Sequence, residues 1–136
     1  MYGQLGYMDF IAGIQKKIQE KTGLLCYDTA PENALAPYYM AKIINKRPAH
    51  SKTMYMDVLT VWIHVIAEPL ASLSSVYEQL QGLEEALTED IALPDGFEVI
   101  VQSNTGIEMI KTEEKEKEHI ALVYEFIVCH GLKCCN

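Results

Sequence analysis

The chain has 136 residues, the commonest size of a single domain, and 49% of them are apolar while 22% are charged. This composition is typical of globular proteins and argues against disordered, collagen-like and low-complexity classes. The formal net charge of -8 repels phosphate backbones, so sequence-specific binding to nucleic acid is not expected.

The cysteines and the N-terminus indicate a cytosolic protein. Three of the four cysteines fall in the last eight residues, which is not the spacing of a disulfide-stapled secreted domain. No basic segment precedes an apolar stretch at the N-terminus, and no run approaches the roughly 18 apolar residues that cross a bilayer. We therefore expect no membrane association.

The first predicted element is an amphipathic helix that begins at Asp9 as its N-cap and ends before Gly23. Its apolar stripe consists of Phe10, Ile11, Ile14 and Ile18. A single domain spanning residues 1–136 is expected, with flexible ends at residues 1–8 and 132–136.

Two strands are predicted after this helix, at residues 24–27 and 38–45. A loop of turn-forming residues that Pro37 closes separates them. Residues 46–53 form the next connection, in which Pro48 argues against continuous strand pairing.

Residues 54–67 form the strongest predicted strand, and both of its faces are largely apolar. A strand at a solvated sheet surface alternates with polar residues. This strand is therefore expected to be covered on each side, by helices or by another subunit.

A second helix follows, capped by Ser72 or Ser75; with Glu78 three residues on, Ser75 would form a capping box. Glutamates occupy its outer face and account for much of the acidity. Its buried stripe is expected to contain Val76, Leu80, Leu83 and Leu87.

The last third of the chain predicts three strands. Residues 97–102 and 107–111 read as a hairpin around residues 104–106. Residues 119–130 again have two apolar faces and should lie centrally beside residues 54–67. The resulting order αβββαβββ predicts an α+β fold, with an antiparallel or mixed sheet of about five to six strands and two helices packed on one face.

Residue types that bind zinc concentrate near the C-terminus, but their spacing is unsuited to a metal site. They are Cys129, His130, Cys134 and Cys135. Adjacent cysteines seldom both reach one tetrahedral ion, and Cys129 and His130 should point to opposite sides of a strand. No metal is therefore expected.

Catalytic patterns are also lacking. Cys26 would need a base such as His64 or His119 beside it to act as a nucleophile, and a mid-strand histidine among apolar neighbours more often belongs to a core or an interface. The serines lack a G-x-S-x-G context, and the glycines form no phosphate-binding loop. We expect no catalytic residue, no cofactor and no enzymatic activity.

Two groups of residues are candidates for contacts with other proteins. Strand residues with large or polar side chains could form a subunit interface, namely Trp62, His64, Tyr124 and Phe126. Cationic side chains also concentrate between residues 42 and 52, and we call this group the basic cluster: Lys42, Lys46, Arg47, His50 and Lys52. The basic cluster is either a solvated hairpin or a docking site for an acidic surface, such as the Glu-rich helix of a neighbouring copy. The mixed-charge residues 111–118 read as a mobile arm or a solubilising segment.

The order of these signals, from about residue 9 to residue 131, is distinctive. Its most specific part is D-x-x-P-E-N-x-x-x-P-Y-Y at residues 28–39, followed by the two apolar strands. In this order the chain resembles the small tail-completion or tail-terminator proteins of long-tailed bacteriophages and prophages.

The resemblance implies an α+β fold that forms rings, commonly hexameric, which cap the tail tube and meet the head connector. It implies a non-enzymatic virion structural protein whose partners are its own copies and other phage tail or neck proteins. The protein would then lie in the bacterial host cytoplasm during assembly and afterwards in the virion tail or neck. Other neck or minor tail components share this size and acidity. The alternative from a different class is a bacterial adaptor or regulatory protein-binding domain that acts as a monomer or dimer.

Overall fold

The computed structural model describes residues 5–68, 72–94, 96–112 and 117–132, with side chains described up to residue 108 and again from 120 to 131. The elements occur in the order α β β β α β β. Their bounds are α1 Tyr7–Thr22, β1 Cys26–Tyr27, β2 Tyr38–Pro48, β3 Met54–Ile66, α2 Leu73–Ala86, β4 Glu98–Thr112 and β5 Lys117–Leu132.

The strands form one five-stranded mixed sheet in the order β1-β2-β3-β5-β4. The short β1 runs parallel to β2, and every other neighbouring pair is antiparallel. The predicted α+β class is confirmed, and so is the central position of the two apolar strands, since β3 lies between β2 and β5.

The hydrophobic core lies between one face of the sheet and the two helices. Because strand residues alternate between faces, every second residue of β3 and β5 points toward the helices. Phe10 of α1 packs edge-on against Phe126 of β5, with ring centroids 5.1 Å apart. The core also includes Ile14, Ile18, Val61, Ile63, Leu83 and Leu122, all fully buried.

The predicted helix ends are confirmed in part. Gly23 adopts the left-handed conformation (φ 75°) that ends α1. Asp9 is not the N-cap: α1 begins at Tyr7 after Gly6, and Asp9 lies in the first turn, where its charge still favours the helix dipole. Ser72 caps α2 by accepting a hydrogen bond from the backbone N–H of Ser75, so the capping box at Ser75 does not form.

The second strand is longer than predicted. It continues to Pro48, which stands opposite Asp57 of β3, so the connection to β3 is shorter than residues 46–53. Proline is tolerated here because this part of β2 is an edge strand that needs no donor on its outer side. A β-bulge between Ile43 and Asn45 shifts the register within the strand.

The predicted hairpin around residues 104–106 is wrong, because β4 is one continuous strand paired with β5 along its length. The turn-forming residues make a bulge instead. The side chain of Asn104 accepts a hydrogen bond from the Gly106 N–H at 2.9 Å, and the Thr105 hydroxyl donates to the Val123 carbonyl at 3.0 Å. In the described part of the chain the sheet therefore has five strands, within the predicted range of five to six.

The sequence predicts flexible ends at residues 1–8 and 132–136, and the structure describes only part of each. Within residues 1–8, Leu5 is buried in the core and α1 has begun by Tyr7, whereas residues 1–4 lie outside the described residues. Residues 133–136 and the charged segment 113–116 also lie outside them. No helix in the described part of the chain is long and apolar enough to span a bilayer.

Candidate functional site

The face of the sheet opposite α1 and α2, which we call the helix-free face, carries a mixture of apolar and polar side chains. Trp62 and His64 of β3 point to this face, because their neighbours Val61 and Ile63 point into the core. The rings of Trp62 and His64 meet at 67° with centroids 6.3 Å apart. Trp62 is half-buried, so part of a large aromatic surface remains in contact with solvent.

Tyr124 and Phe126 lie on the other side of the sheet. They stand opposite Val61 and Leu59 in the strand register, and both are buried under the helices, with exposed fractions of 2% and 0%. Because both side chains are buried in the chain's own core, neither offers a surface to a second subunit. Among the four interface candidates, Trp62 and His64 alone reach the helix-free face.

One member of the basic cluster, Lys46, already makes contacts within the chain. The ammonium group of Lys46 lies 3.6 Å from Asp57 Oδ2 and 4.8 Å from the centroid of the Tyr7 ring, which it covers. Because β2 alternates and carries a bulge, Lys46 faces the helix side, whereas Lys42 and Arg47 project from the helix-free face. Lys46 therefore stabilises the fold where α1 begins.

The rest of the basic cluster is exposed. Lys42, Arg47 and Lys52 are all exposed to solvent. His50 is held at the hairpin turn, where its Nδ1 accepts a hydrogen bond from the Met56 N–H at 2.9 Å. Three cationic groups and an anchored imidazole thus remain available to an acidic surface.

The sequence reasoning missed a buried polar contact. Asp57 Oδ2 and His130 Nε2 are in direct contact across β3 and β5, and each residue is only 6% exposed. Phe97 packs edge-on against the His130 ring at a centroid distance of 5.9 Å. The signal available in the sequence was Asp57 itself, the single carboxylate in a largely apolar strand.

This Asp57–His130–Lys46 cluster resembles parts of a catalytic site, but it has no room for a substrate. The cavity beside it measures about 10 Å³, close to the volume that one water molecule needs. Leu5, Gly6 and Tyr7 are among the residues that line it. The arrangement matches a buried ion pair that ties three strands to the start of α1.

The candidate nucleophile Cys26 is unsuited to catalysis. Burial raises the pKa of its thiol to about 12, so the reactive thiolate is scarce near neutral pH. Cys26 belongs to the core, whereas His64 lies on the opposite face of the sheet. The side chain of His119 lies outside the described residues.

Two wider grooves flank the helices. A groove of about 510 Å³ lies between the end of α1, α2 and the ends of β2 and β3. Two of its polar side chains are engaged within the chain: Tyr39 donates to the Gln79 carbonyl, and the Gln79 amide donates to the carbonyls of Tyr38 and Ile66. A second, open groove of about 660 Å³ lies between the start of α1 and β2.

No group of three or more potential metal ligands occurs among the residues that the structure describes. Within the predicted zinc-type set, Cys129 and His130 occupy opposite sides of β5, as strand alternation requires. Cys134 and Cys135 lie outside the described part of the chain.

Comparison with known proteins gives one family and one fold. Residues 1–135 match the family model described as "Putative tail termination protein", a family of phage tail terminators. The search of curated proteins finds no match. Among solved structures, a chain of the virion of a native gene transfer agent particle superposes with a TM-score of 0.71 at 20% identity, covering 91% of this chain and 99% of that chain. At this level of sequence identity, the similarity between the two chains shows a shared fold and nothing more.

Proposed function

This chain belongs to the phage tail terminator family, and from that membership we propose that it is a non-enzymatic virion protein that assembles into a ring at the end of the tail. Its location would be the tail or neck of the virion, after assembly in the host cytoplasm. Its partners would be further copies of itself and other tail or neck proteins. A hexamer is the ring size that we expect from the family.

The observation that carries the proposal is the family match across the whole chain, and the helix-free face supports it. Both helices lie on one side of the sheet, so large side chains such as Trp62 are left for a neighbouring protein to cover. Aromatic residues that are partly buried and partly exposed to solvent are enriched in protein interfaces. We propose a subunit interface at Trp62; His64 lies beside it on the same face but is only 7% exposed, so Trp62 would make most of the contact.

The basic cluster supports a second contact. Lys42, Arg47 and Lys52 are exposed on a protein whose net charge is -8, so an acidic surface of a neighbouring molecule would be attracted to them. We propose that these side chains, with His50, dock such a surface. Lys46 contributes through the fold because it already contacts Asp57.

The test is a measurement of the mass of the purified protein over a range of concentrations, with electron microscopy of any large species, alone and with isolated tail tubes. We expect closed rings. Trp62→Glu should weaken assembly, because it places a charge in the interface, whereas the matched variant Leu35→Glu, at an 88% exposed loop residue, should not.

Two results would contradict the proposal. A protein that stays monomeric or dimeric in solution and does not bind tail tubes would favour the adaptor class instead. An Arg47→Glu/Lys52→Glu variant that assembles and binds tail tubes like the wild type would remove the docking role of the basic cluster.

A further inference from the structure

Among the described residues, the sheet has an open edge on each side. On one side β1 covers only Tyr39 and Met40, so the backbone of residues 41–48 has no outer neighbour strand in the described part of the chain. On the other side β4 pairs with β5 and with no further described strand. Open edges present unpaired N–H and C=O groups that can accept a strand from another chain.

The β4 edge carries few charges along its middle. Between Glu98 and Glu108 it has no charged residue, its one lysine, Lys111, lies near its end, and its aliphatic side chains face solvent, with Val101 41% exposed and Ile107 53% exposed. Two bulges interrupt the strand and leave regular stretches at residues 101–104 and 106–112 that can pair. A long, apolar, open edge of this kind favours association.

The two edges carry opposite charges. Residues 41–48 include Lys42, Lys46 and Arg47 and no acidic residue, whereas residues 98–108 include Glu98 and Glu108 and no basic residue. The strand register places Lys42, Arg47, Glu98 and Glu108 all on the helix-free face. Pairing of two β4 edges would bring glutamates together, and pairing of two β2 edges would bring cations together, and both are unfavourable.

The strand directions also suit pairing between different edges. Because β2, β3, β5 and β4 are successively antiparallel, β4 runs opposite to β2 in the same sheet. A second copy placed beside the first in the same orientation therefore brings its β2 antiparallel to β4 of the first copy. Such head-to-tail contacts use two different surfaces and close into a ring when the rotation between copies allows it.

The β2 edge offers room for an incoming strand. The open groove of about 660 Å³ runs along it, bounded on the other side by the start of α1. Ile11, Ile43 and Ile44 supply apolar surface there, with Lys42 at its rim. A groove between an edge strand and a helix is a recurrent site for strand addition.

We propose that neighbouring copies in the ring are joined edge to edge, with β4 of one copy pairing with residues 41–48 of β2 in the next copy. This proposal rests on the proposed ring and specifies how its subunits connect. It also names β4, rather than α2, as the acidic surface that meets Lys42 and Arg47.

Hydrogen exchange measured by mass spectrometry tests the pairing directly. The assembled wild-type protein is compared with the same protein diluted until it dissociates. We expect slower exchange on assembly in peptides that cover both residues 41–48 and residues 98–112, because new backbone hydrogen bonds form there. Protection that appears in α2 but in neither edge would overturn the proposal.

A second test reverses the charges of exposed side chains at the two edges. These side chains are not part of the hydrophobic core. Lys42→Glu/Arg47→Glu and Glu98→Lys/Glu108→Lys should each raise the concentration for half-assembly by about tenfold or more. An equal mixture of the two variants should recover assembly, since an alternating ring restores opposite charges at every joint. The control is Lys16→Glu on α1, which makes the same change of charge per residue at an exposed position away from both edges.

The outcomes separate this inference from the proposed function. Rings that form equally well from Lys42→Glu/Arg47→Glu alone, or a mixture that fails to recover assembly, would overturn the edge pairing while the ring stands. A wild-type protein that forms no ring in solution or on tail tubes would overturn the ring and the edge pairing together.

Discussion

Replacing each of two helical glycines by alanine should have opposite effects on stability. Gly13 lies in α1 and Gly82 in α2. A Cβ atom at Gly13 would lie 2.6 Å from the carbonyl oxygen of Ala92, a backbone atom. A Cβ atom at Gly82 would lie 3.7 Å from the hydroxyl of Tyr39, which is an ordinary contact distance.

The magnitudes follow from these distances. In a helix interior, alanine is more favourable than glycine by about 1 kcal/mol, so Gly82→Ala should raise the free energy of unfolding by about 0.5–1 kcal/mol. At Gly13 the same gain of about 1 kcal/mol is opposed by overpacking, whose cost lies in the upper part of its range, about 2–3 kcal/mol, because the atom approached is a backbone oxygen and α1 must move away from residues 91–94. We expect Gly13→Ala to be destabilised by about 1–2 kcal/mol.

The measurement is urea unfolding followed by far-ultraviolet circular dichroism, at a protein concentration where all three proteins have the same assembly state. Equal slopes with shifted midpoints would show that stability alone has changed. A Gly13→Ala protein as stable as the wild type would refute the close approach of α1 to Ala92. A destabilised Gly82→Ala protein would refute the reasoning about free space at α2.

Three further predictions concern the core and its ionisable groups. Phe126→Ala should lower the free energy of unfolding of the single chain by about 3–5 kcal/mol, whereas Trp62→Ala should cost less in the single chain and weaken assembly instead, as urea unfolding and mass measurement would show. Asp57→Asn should lower the free energy of unfolding by about 1–3 kcal/mol, because the Lys46 ammonium group and the His130 ring lose the buried carboxylate that they contact; an unchanged urea midpoint would contradict this role. Burial raises the pKa of Cys26 and of Tyr39 to about 12, so the unfolded chain ionises first and stability should fall as pH rises from about 9 towards 12; a flat profile of urea midpoint against pH would contradict the burial of both groups.

Local patterns in the sequence predicted most of the elements. The apolar stripe that includes Phe10 and Ile14 identified α1, and the double apolar faces of residues 54–67 and 119–130 identified the two central strands. These predictions succeeded because burial on one or both faces leaves a periodic record in the residues themselves. The family resemblance, which rests on the order of these signals, is also confirmed.

The prediction failed where the same residues serve two structures. Asn-Thr-Gly at residues 104–106 is typical of a hairpin turn, yet here it forms a bulge, because β5 continues past it and offers a partner on both sides. Pro48 is typical of a connection, yet it ends an edge strand whose outer side needs no donor. The choice in each case depends on a neighbouring strand that is distant in the sequence.

The sequence by itself determined the fold class, the family and the residues that must be buried, because these depend on composition, periodicity and order along the chain. The tertiary structure decided which sheet face the helices cover, and with it that Tyr124 and Phe126 belong to the core while Trp62 reaches the helix-free face. It also brought Asp57 to His130, 73 residues apart, and left two oppositely charged sheet edges without an outer neighbour among the described strands. The physical reason is that strand register and strand order arise from long-range pairing, which no local pattern encodes.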